Sequence, residues 1–370
     1  MISSDPRTVS AHRLSLERLP DLAGARSRWT RLAQQGGNVF GTWEWADCWY
    51  RHLGAGAELT IAAASRPDGE TVAILPTYVA RERPVRVTRF VGAGLSDELG
   101  PVCARSEISS AGAALRRHVR DTIGQAGLFV GERLWDEGPL RSSLHAVTLR
   151  HLASPILEMK GRTFEEFLAS RSRNLRDQVR RRERKLLRDH GLSYRLTQAP
   201  DELERDMGIL MRLHAARWSD GHSRVFDGRR ASFHLDFASR ALENGWLRLW
   251  TMELAGRPVA SWYGFRFGGL ETYYQAGRDP AFGSMNVGFV LLCHSIRCAF
   301  EDGMQSYRFG SGDEPFKSRF ADPGPGLVTV AIASGVRGRI SLAAMQAVLR
   351  TPDRLRVSLL QLGAGRRNLD

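Results

Sequence analysis

Features that mark several other protein classes are scarce or missing in this chain of 370 residues. Its 4 cysteines form no Cys-x-x-Cys pair, which argues against a zinc or dithiol site and favours a reducing, cytoplasmic location. No apolar run approaches the roughly 20 residues that span a bilayer, and residues 1–13 are polar rather than a signal-peptide core. With 42% apolar and 25% charged residues, disordered classes are excluded and folded domains, without a metal, are expected.

Acidic residues are the scarcer charged type, since 40 Asp and Glu face 53 Lys and Arg and leave a formal net charge of +13. Most of the excess lies in two segments. Arg171–Arg188 holds nine basic and two acidic residues, and Gly335–Asp370 holds seven arginines and two aspartates. Because the rest of the chain is almost neutral, a uniformly basic coat for nucleic acid is not expected.

The first basic segment, Arg171–Arg188, carries Leu175, Val179 and Leu186 at helical spacing, which predicts an amphipathic helix with a basic face. Such a face is either a solvated surface or a site for phosphates or a polyanion. Because like charges at i, i+4 destabilise a helix, the shortage of acidic partners favours the anion site.

The order of predicted elements is similar in the two halves of the chain. Each half has helices, then a meander of strands separated by Gly-containing turns, then a helix and a short strand. This order predicts an α+β fold in which one kind of domain is used twice, over residues 1–160 and 161–334.

The tail, residues 335–370, carries apolar positions on both sides of Pro352. Their spacing predicts two short amphipathic helices with arginine-rich flanks. Such helices suit docking across a domain or homodimer surface, and they equally suit peripheral attachment to an anionic membrane.

Five segments of the second half, in this order, resemble the CelD-like branch of the GNAT acyltransferases, which is related to the Fem peptidyltransferases. They read SRSRNLRDQVRRRERKL (Ser170–Leu186), LHAARW (Leu213–Trp218), GWLRLWTMELAGRPVASWYGF (Gly245–Phe265), YYQAGRDPAF (Tyr273–Phe282) and GSGDEPFKSRF (Gly310–Phe320). The resemblance covers roughly residues 160–325 and is weaker in the first half, where it rests on Trp43–Trp49 and the Ser96-Asp97 loop. It implies a tandem GNAT-like fold, with two mixed sheets flanked by helices and a degenerate first domain.

The resemblance also implies a donor, acetyl-CoA or another acyl-CoA, lying between two splayed parallel strands with its diphosphate at a helix N-terminus. After the strand that ends at Ala276, Asn286 would cap a helix, and two glycines would let phosphate approach the backbone. A plain Gly-containing loop is the alternative, and relatives tend to have Ser-Pro-Gly where this chain has Asn-Val-Gly. The donor-binding residues expected here are Arg278, Gly283, Asn286, Val287 and Gly288, joined by Arg180, Arg181 and Arg184 of the basic segment.

Acyl transfer needs a base for the acceptor, a donor to the developing oxyanion and an acid for the leaving thiolate. Lys317 falls on a Phe-Lys-x-x-Phe word that carries a functional lysine in Fem-type enzymes, and Glu314 and Asp313 are the nearest base candidates. Tyr273 and Tyr274 alternate along one strand, so one should face the cleft, and Tyr274 is taken as the candidate acid.

Candidate residues on the acceptor side lie on a predicted helix and on a strand. His214 is a further base candidate, although a lone helix histidine is as often structural. Arg217 and Trp218 share its helix face and suit an acceptor carboxylate or phosphate and a sugar or acyl wall. Tyr263 is a third candidate for acceptor binding.

These observations predict a bacterial, cytoplasmic acyltransferase acting on an amine or hydroxyl of a small molecule or of a glycan or peptide precursor. Two alternatives remain at this point. One is a Fem-like transferase that takes its aminoacyl group from charged tRNA, with the basic segment holding the RNA backbone. The other is a GNAT-fold module without turnover.

Overall fold

The computed structural model describes residues 13–82, 85–124, 127–136, 138–217 and 223–350. Trp218 and the second of the two predicted tail helices lie outside the described residues. Within these ranges no helix is long and apolar enough to cross a bilayer. The same ranges contain no cluster of His, Cys, Asp and Glu side chains arranged to hold a metal ion.

Among its described residues, the first half of the chain contains four helices and nine short strands. Two of the helices begin at polar caps, because the side chain of Asp21 accepts from the Gly24 N–H and that of Thr42 from the Trp45 N–H. The elements are β1 (Ser15–Arg18), α1 (Leu22–Gly36), α2 (Trp43–Leu53), β2 (Glu58–Leu59), β3 (Ala62–Ser65), β4 (Thr71–Leu75), β5 (Thr77–Glu82), β6 (Val85–Phe90), β7 (Val102–Cys103), α3 (Ile108–Ile123), β8 (Leu128–Trp135), α4 (Gly138–Leu144) and β9 (Val147–Leu152).

The second half contains longer helices and longer strands. Its elements are β10 (Ile156–Glu158), α5 (Phe164–Ala169), α6 (Arg173–His190), β11 (Leu192–Leu196), α7 (Pro200–Arg217), α8 (Arg229–Glu243), β12 (Leu247–Leu254), β13 (Arg257–Phe267), β14 (Leu270–Arg278), α9 (Val287–Glu301), β15 (Ser306–Arg308), β16 (Leu327–Ala333) and α10 (Gly335–Arg350). The basic segment lies almost entirely in α6. α6 begins at its own N-cap, Ser172, whose side chain accepts from the Leu175 N–H. This cap separates α6 from α5.

The strands in the described ranges form three sheets. Their orders are β1-β3-β4-β7, β2-β5-β6-β8-β16-β9 and β10-β15-β14-β13-β12-β11. Most neighbours are antiparallel, but β6 and β8 pair in parallel across α3, and β14 and β15 pair in parallel across α9. Each half therefore contains antiparallel strands that end in a parallel pair joined by a crossover helix, which is the α+β duplication predicted from the sequence.

Two strands cross the boundary that the sequence suggested at residue 160. β10 pairs with β15 in the second half's sheet, although it precedes residue 161. β16 returns to the first half's sheet and pairs there with both β8 and β9. The division into residues 1–160 and 161–334 remains a proposal, and sheet membership does not follow it at these two strands.

The two halves share one hydrophobic core. Trp45 of α2 packs edge-on against Phe233 and Phe237 of α8 and against Tyr274 of β14. A second cluster lies on the opposite face of the second sheet, beneath α6 and α9. Aromatic burial between the halves therefore holds one face of β14 against the first half and leaves the other face beside α9.

Candidate active site at the splayed strands

β14 and β15 separate after a short stretch of pairing. They are hydrogen-bonded in parallel only from the Leu270–Ser306 pair to the Thr272–Arg308 pair. β14 then continues to Arg278, with a bulge at Tyr274 relative to β13. The divergence opens a cleft of about 360 Å³ beside the start of α9.

The cleft has an aromatic wall and a cationic mouth. Trp262, Tyr273, Phe289 and Phe316 contribute rings, and Arg217 and Arg278 contribute guanidinium groups. An apolar interior with a few convergent charged groups is typical of a small-ligand site. The predicted residues Gly283, Asn286 and Gly288 also line this cleft.

The N-terminus of α9 opens towards this cleft without a side-chain cap. Asn286 does not cap it, contrary to the sequence-based expectation, because its Nδ2 donates to the Ser284 carbonyl at 3.1 Å. Its φ of +56° lies in the left-handed region that Asn tolerates better than most residues. Val287 is fully buried in the core, so only its backbone can contribute to a ligand site.

Arg278 covers the two glycines of this turn. A Cβ atom on Gly283 would lie 3.6 Å from Arg278 Nη1, and one on Gly288 would lie 3.4 Å from Arg278 Cδ. The guanidinium is therefore held beside the positive end of α9. Backbone N–H groups and a cation on one side of a cleft suit a phosphate or diphosphate.

The predicted phosphate arginines of the basic helix do not line the cleft. Arg180 forms a salt bridge with Glu165 at 2.7 Å, and Arg184 Nε donates to the Arg180 carbonyl. Arg181 is exposed. Arg182 is the arginine of α6 that contacts the cleft wall, because its Cζ lies 5.3 Å from the centroid of the Phe289 ring.

Lys317 lies in a buried polar cluster next to the cleft. Its side chain is 3% exposed, and its Nζ lies 2.7 Å from Glu314 Oε2 and donates to the Ser311 carbonyl at 2.8 Å. Ser311 Oγ in turn donates to Asp97 Oδ1 at 3.1 Å. Phe316 connects this cluster to the cleft, since it lines the cleft and its ring contacts Tyr273. The third predicted residue of this loop, Asp313, is exposed.

Asp97 comes from the first half of the chain. Arg133 Nη1 donates to its Oδ1 at 2.8 Å, and the loop that carries it packs against Gly310, where a Cβ would lie 2.7 Å from Asp97 Oδ2. Burial raises the pKa of Asp97 in spite of Arg133, Ser311 and Lys317. The sequence pointed to the Ser96-Asp97 loop only as a weak resemblance and not as part of the site.

The tyrosine in the cleft is Tyr273, and the choice of Tyr274 from the sequence is corrected. Tyr273 lines the cleft beside Arg217, and burial raises the pKa of its phenol. Tyr274 is 4% exposed in the core between the halves, and its hydroxyl donates to the Leu95 carbonyl at 3.1 Å. Tyr263 is fully buried in the same core, so its predicted contact with an acceptor is also incorrect.

His214 and Arg217 lie on α7, as predicted, but only Arg217 reaches the cleft. His214 is buried against Phe226, and its Nε2 lies 3.4 Å from Ser223 Oγ. Burial, with Arg217 nearby, lowers the pKa of His214. The histidine is therefore buried behind β14 and does not line the cleft.

A comparison with protein-family models identifies the segment that contains these residues. Residues 173–318 match the acetyltransferase (GNAT) domain. The matched segment runs from α6 through the cleft to Lys317, so the prediction of a GNAT-type acyltransferase domain is confirmed for this part of the chain. The match does not distinguish a CelD-like subtype.

Three solved structures share the fold of this chain over most of its length. The crystal structure of FemX has a TM-score of 0.61 at 12% identity, covering 89% of this chain and 100% of FemX. The C-terminal domain of a putative lysylphosphatidylglycerol synthetase from Agrobacterium fabrum has a TM-score of 0.54 at 12% identity, covering 89% and 97%. L-PGS from Bacillus licheniformis has a TM-score of 0.52 at 14% identity, covering 86% and 93%. A comparison with curated protein sequences found no significant match.

Proposed function

We propose that the protein transfers an acyl group from acyl-CoA, with acetyl-CoA as the simplest donor, to an amine or hydroxyl acceptor. The observation that carries this proposal is the uncapped N-terminus of α9, with Arg278 held over Gly283 and Gly288 at a cleft between splayed strands. The donor's diphosphate would accept hydrogen bonds from backbone N–H groups and from the guanidinium. The thioester would then lie deeper, towards Tyr273 and Phe316.

The groups around the inner cleft match the proton transfers of this reaction. The acceptor nitrogen or oxygen bonds to the thioester carbon and gives up a proton, and the carbon–sulfur bond then breaks to release the thiolate of coenzyme A. Asp97 and Glu314 are the carboxylates of the Lys317 cluster beside the cleft, and a raised pKa improves Asp97 as a base. Burial keeps Tyr273 protonated, and Arg217 beside it favours the phenolate that remains once the proton has passed to the thiolate. The Lys317 ammonium stabilises negative charge in the cluster.

The acceptor in this proposal is a small molecule or a glycan or peptide precursor in a bacterial cytoplasm. It would approach from the first half's side, because Asp97 and Arg133 lie there. Contact with an anionic membrane or with a second copy remains part of the proposal for α10. Val336 and Ile340 of that helix are 74% and 64% exposed and alternate with Arg337 and Arg339.

The direct test is calorimetric titration of the protein with acetyl-CoA. We expect binding, and we expect Arg278→Gln to weaken it about tenfold because a charge-assisted bond to phosphate is lost. Arg180→Gln is the matched control, since Arg180 is an exposed arginine already paired with Glu165. The absence of heat with acetyl-CoA, together with salt-sensitive binding of charged tRNA, would overturn the proposal.

An aminoacyl-tRNA-dependent transferase is the second candidate. It is favoured by the exposed cations Arg181, Arg184 and Lys185 on α6, a face that could follow an RNA backbone. The likeness to FemX is consistent with it at the level of fold. Under this alternative, tRNA affinity would fall steeply with salt and the α6 cations would contribute most of that dependence.

A further inference from the structure

Two arginines converge on one phenylalanine at the edge of the cleft. The Cζ atoms of Arg182 and Arg319 lie 5.3 and 5.0 Å from the centroid of the Phe289 ring. Arg182 comes from α6, and Arg319 from the short 3₁₀ turn that begins at Lys317. Two separate elements therefore bring positive charge to the same place.

These two charges are not balanced by acids. Across the residues that the structure describes, neither arginine forms a salt bridge, and the side-chain partner of Arg319 is the neutral Gln178, whose Oε1 accepts from Nη2 at 2.9 Å. Burial lowers the pKa of Arg182, and the neighbouring Arg319 and Arg181 lower it further. Holding two like charges together costs free energy that an anion between them would relieve.

The other arginines of the same segment are paired with acids, bonded to backbone carbonyls or exposed. Arg180 pairs with Glu165, Arg188 with Asp189 and Arg171 with Asp322. Arg176 donates to the Ala169 and Arg171 carbonyls, and Arg181 and Arg184 are exposed, whereas Arg182 is half-buried against the Phe289 ring.

The position of the two arginines indicates which anion they would bind. Phe289 directly follows Gly288 and lines the cleft, so the arginines lie beside the α9 N-terminus, where the donor's diphosphate is proposed to bind. Coenzyme A carries its diphosphate and a phosphate monoester on the 5′ and 3′ oxygens of one ribose. A ligand held by its diphosphate at α9 thus has a second phosphate one sugar away.

We propose that Arg182 and Arg319 together bind the ribose 3′-phosphate of the donor and make the protein select free coenzyme A thioesters. Carrier-protein thioesters, whose phosphopantetheine arm lacks that ribose, are excluded as preferred donors. This inference rests on the proposed acyl-CoA function and adds the class of donor to it.

The test compares acetyl-CoA with its 3′-dephospho form by calorimetry. The unaltered protein is expected to bind acetyl-CoA about tenfold more tightly, as two guanidinium contacts to one phosphate predict. The double variant Arg182→Gln, Arg319→Gln is expected to bind both donors with the affinity that the unaltered protein has for the dephospho form. The control double variant, Arg180→Gln with Arg184→Gln, is expected to keep the tenfold preference.

The outcomes separate this inference from the function on which it rests. Equal affinity of the unaltered protein for the two donors overturns the 3′-phosphate site and leaves the acyl-CoA proposal standing, and this comparison needs no variant. A preference that survives in the Arg182, Arg319 variant assigns the phosphate to other residues and also overturns the inference. Binding of neither donor overturns both proposals.

Discussion

Tyr273 and Tyr274 are adjacent on β14, and their side chains lie on opposite faces of the sheet. We expect Tyr273→Phe to lower kcat at least about tenfold with little change in KM, because the acid for the thiolate is lost. Tyr274→Phe should leave kcat nearly unchanged and lower the free energy of unfolding by about 1 kcal/mol, because its bond to the Leu95 carbonyl is lost. Steady-state kinetics and denaturant unfolding of both variants check this, and an equal loss of kcat in the two would contradict it.

Lys317 is the second residue whose role can be tested alone. Lys317→Met keeps most of the side-chain volume and removes the charge, so we expect turnover to fall about 100-fold while donor affinity stays within twofold. Lys185→Met, at an exposed position of α6, is the control. Single-turnover rates and calorimetry provide the two measurements. Near-normal turnover in the Lys317 variant would remove this residue from the site.

The sequence was informative about single residues where a short local motif carries the chemistry. Lys317 and Arg217 belong to such motifs, and the structure places Lys317 beside the cleft and Arg217 on its wall. Alternation along a strand cannot say which of two adjacent tyrosines faces the ligand. Asp97 lies far along the chain from its partner Ser311, so no local pattern could join them.

At the scale of elements, α9 offers a test of the donor site. Gly288→Val would push against Arg278, because even a Cβ at this position lies 3.4 Å from Arg278 Cδ. We expect the affinity for acetyl-CoA to fall about tenfold while thermal stability stays close to that of the unaltered protein. Gly208→Val, in α7 where an added Cβ meets nothing within 4 Å, controls for adding the same side chain to a helix. Equal affinities in the two variants would argue against a donor at α9.

The helical spacing of α6 also distinguishes its individual arginines from one another. Leu175, Val179 and Leu186 were predicted to share the apolar face, and all three are buried. The same 3.6-residue period places position 182 on that face and positions 180 and 184 away from it. Arg182 could therefore have been distinguished from its neighbours by spacing alone, whereas Arg319 could not, because it joins the pair only through the tertiary fold.

At the scale of the whole molecule, the core between the halves contains a buried histidine that makes stability depend on pH. His234 is fully buried, both ring nitrogens are without a hydrogen-bond partner among the described residues, and burial lowers its pKa to about 3. Below pH 6.5 this histidine binds a proton in the unfolded chain but stays neutral in the folded protein. The free energy of unfolding therefore falls progressively from there down to about pH 3.

We expect His234→Phe to remove this part of the acid destabilisation. The loss of unfolding free energy between pH 7.5 and pH 5.5 should be about 1.4 kcal/mol smaller than in the unaltered protein, because one residue no longer gains a proton on unfolding. Denaturant titrations at the two pH values measure it, with His145→Gln at an exposed position as the control. The same pH dependence in His234→Phe and in the unaltered protein would contradict the assignment.

The duplicated α+β architecture followed from the order of elements, because turns and periodicity are local signals. The exchange of β10 and β16 between the sheets did not follow from it, since strand pairing between distant segments depends on which edges remain open in the assembled molecule.

β16 also connects the two halves of the chain in the order of their synthesis. A ribosome adds about 5–20 residues per second from the N-terminus onward, so β8 and β9 exist well before the strand that lies between them. The first half's six-stranded sheet cannot close until β16 has emerged, whereas the six strands of the second half's sheet are all complete at Arg308. The half that is translated first is therefore the half that finishes folding last.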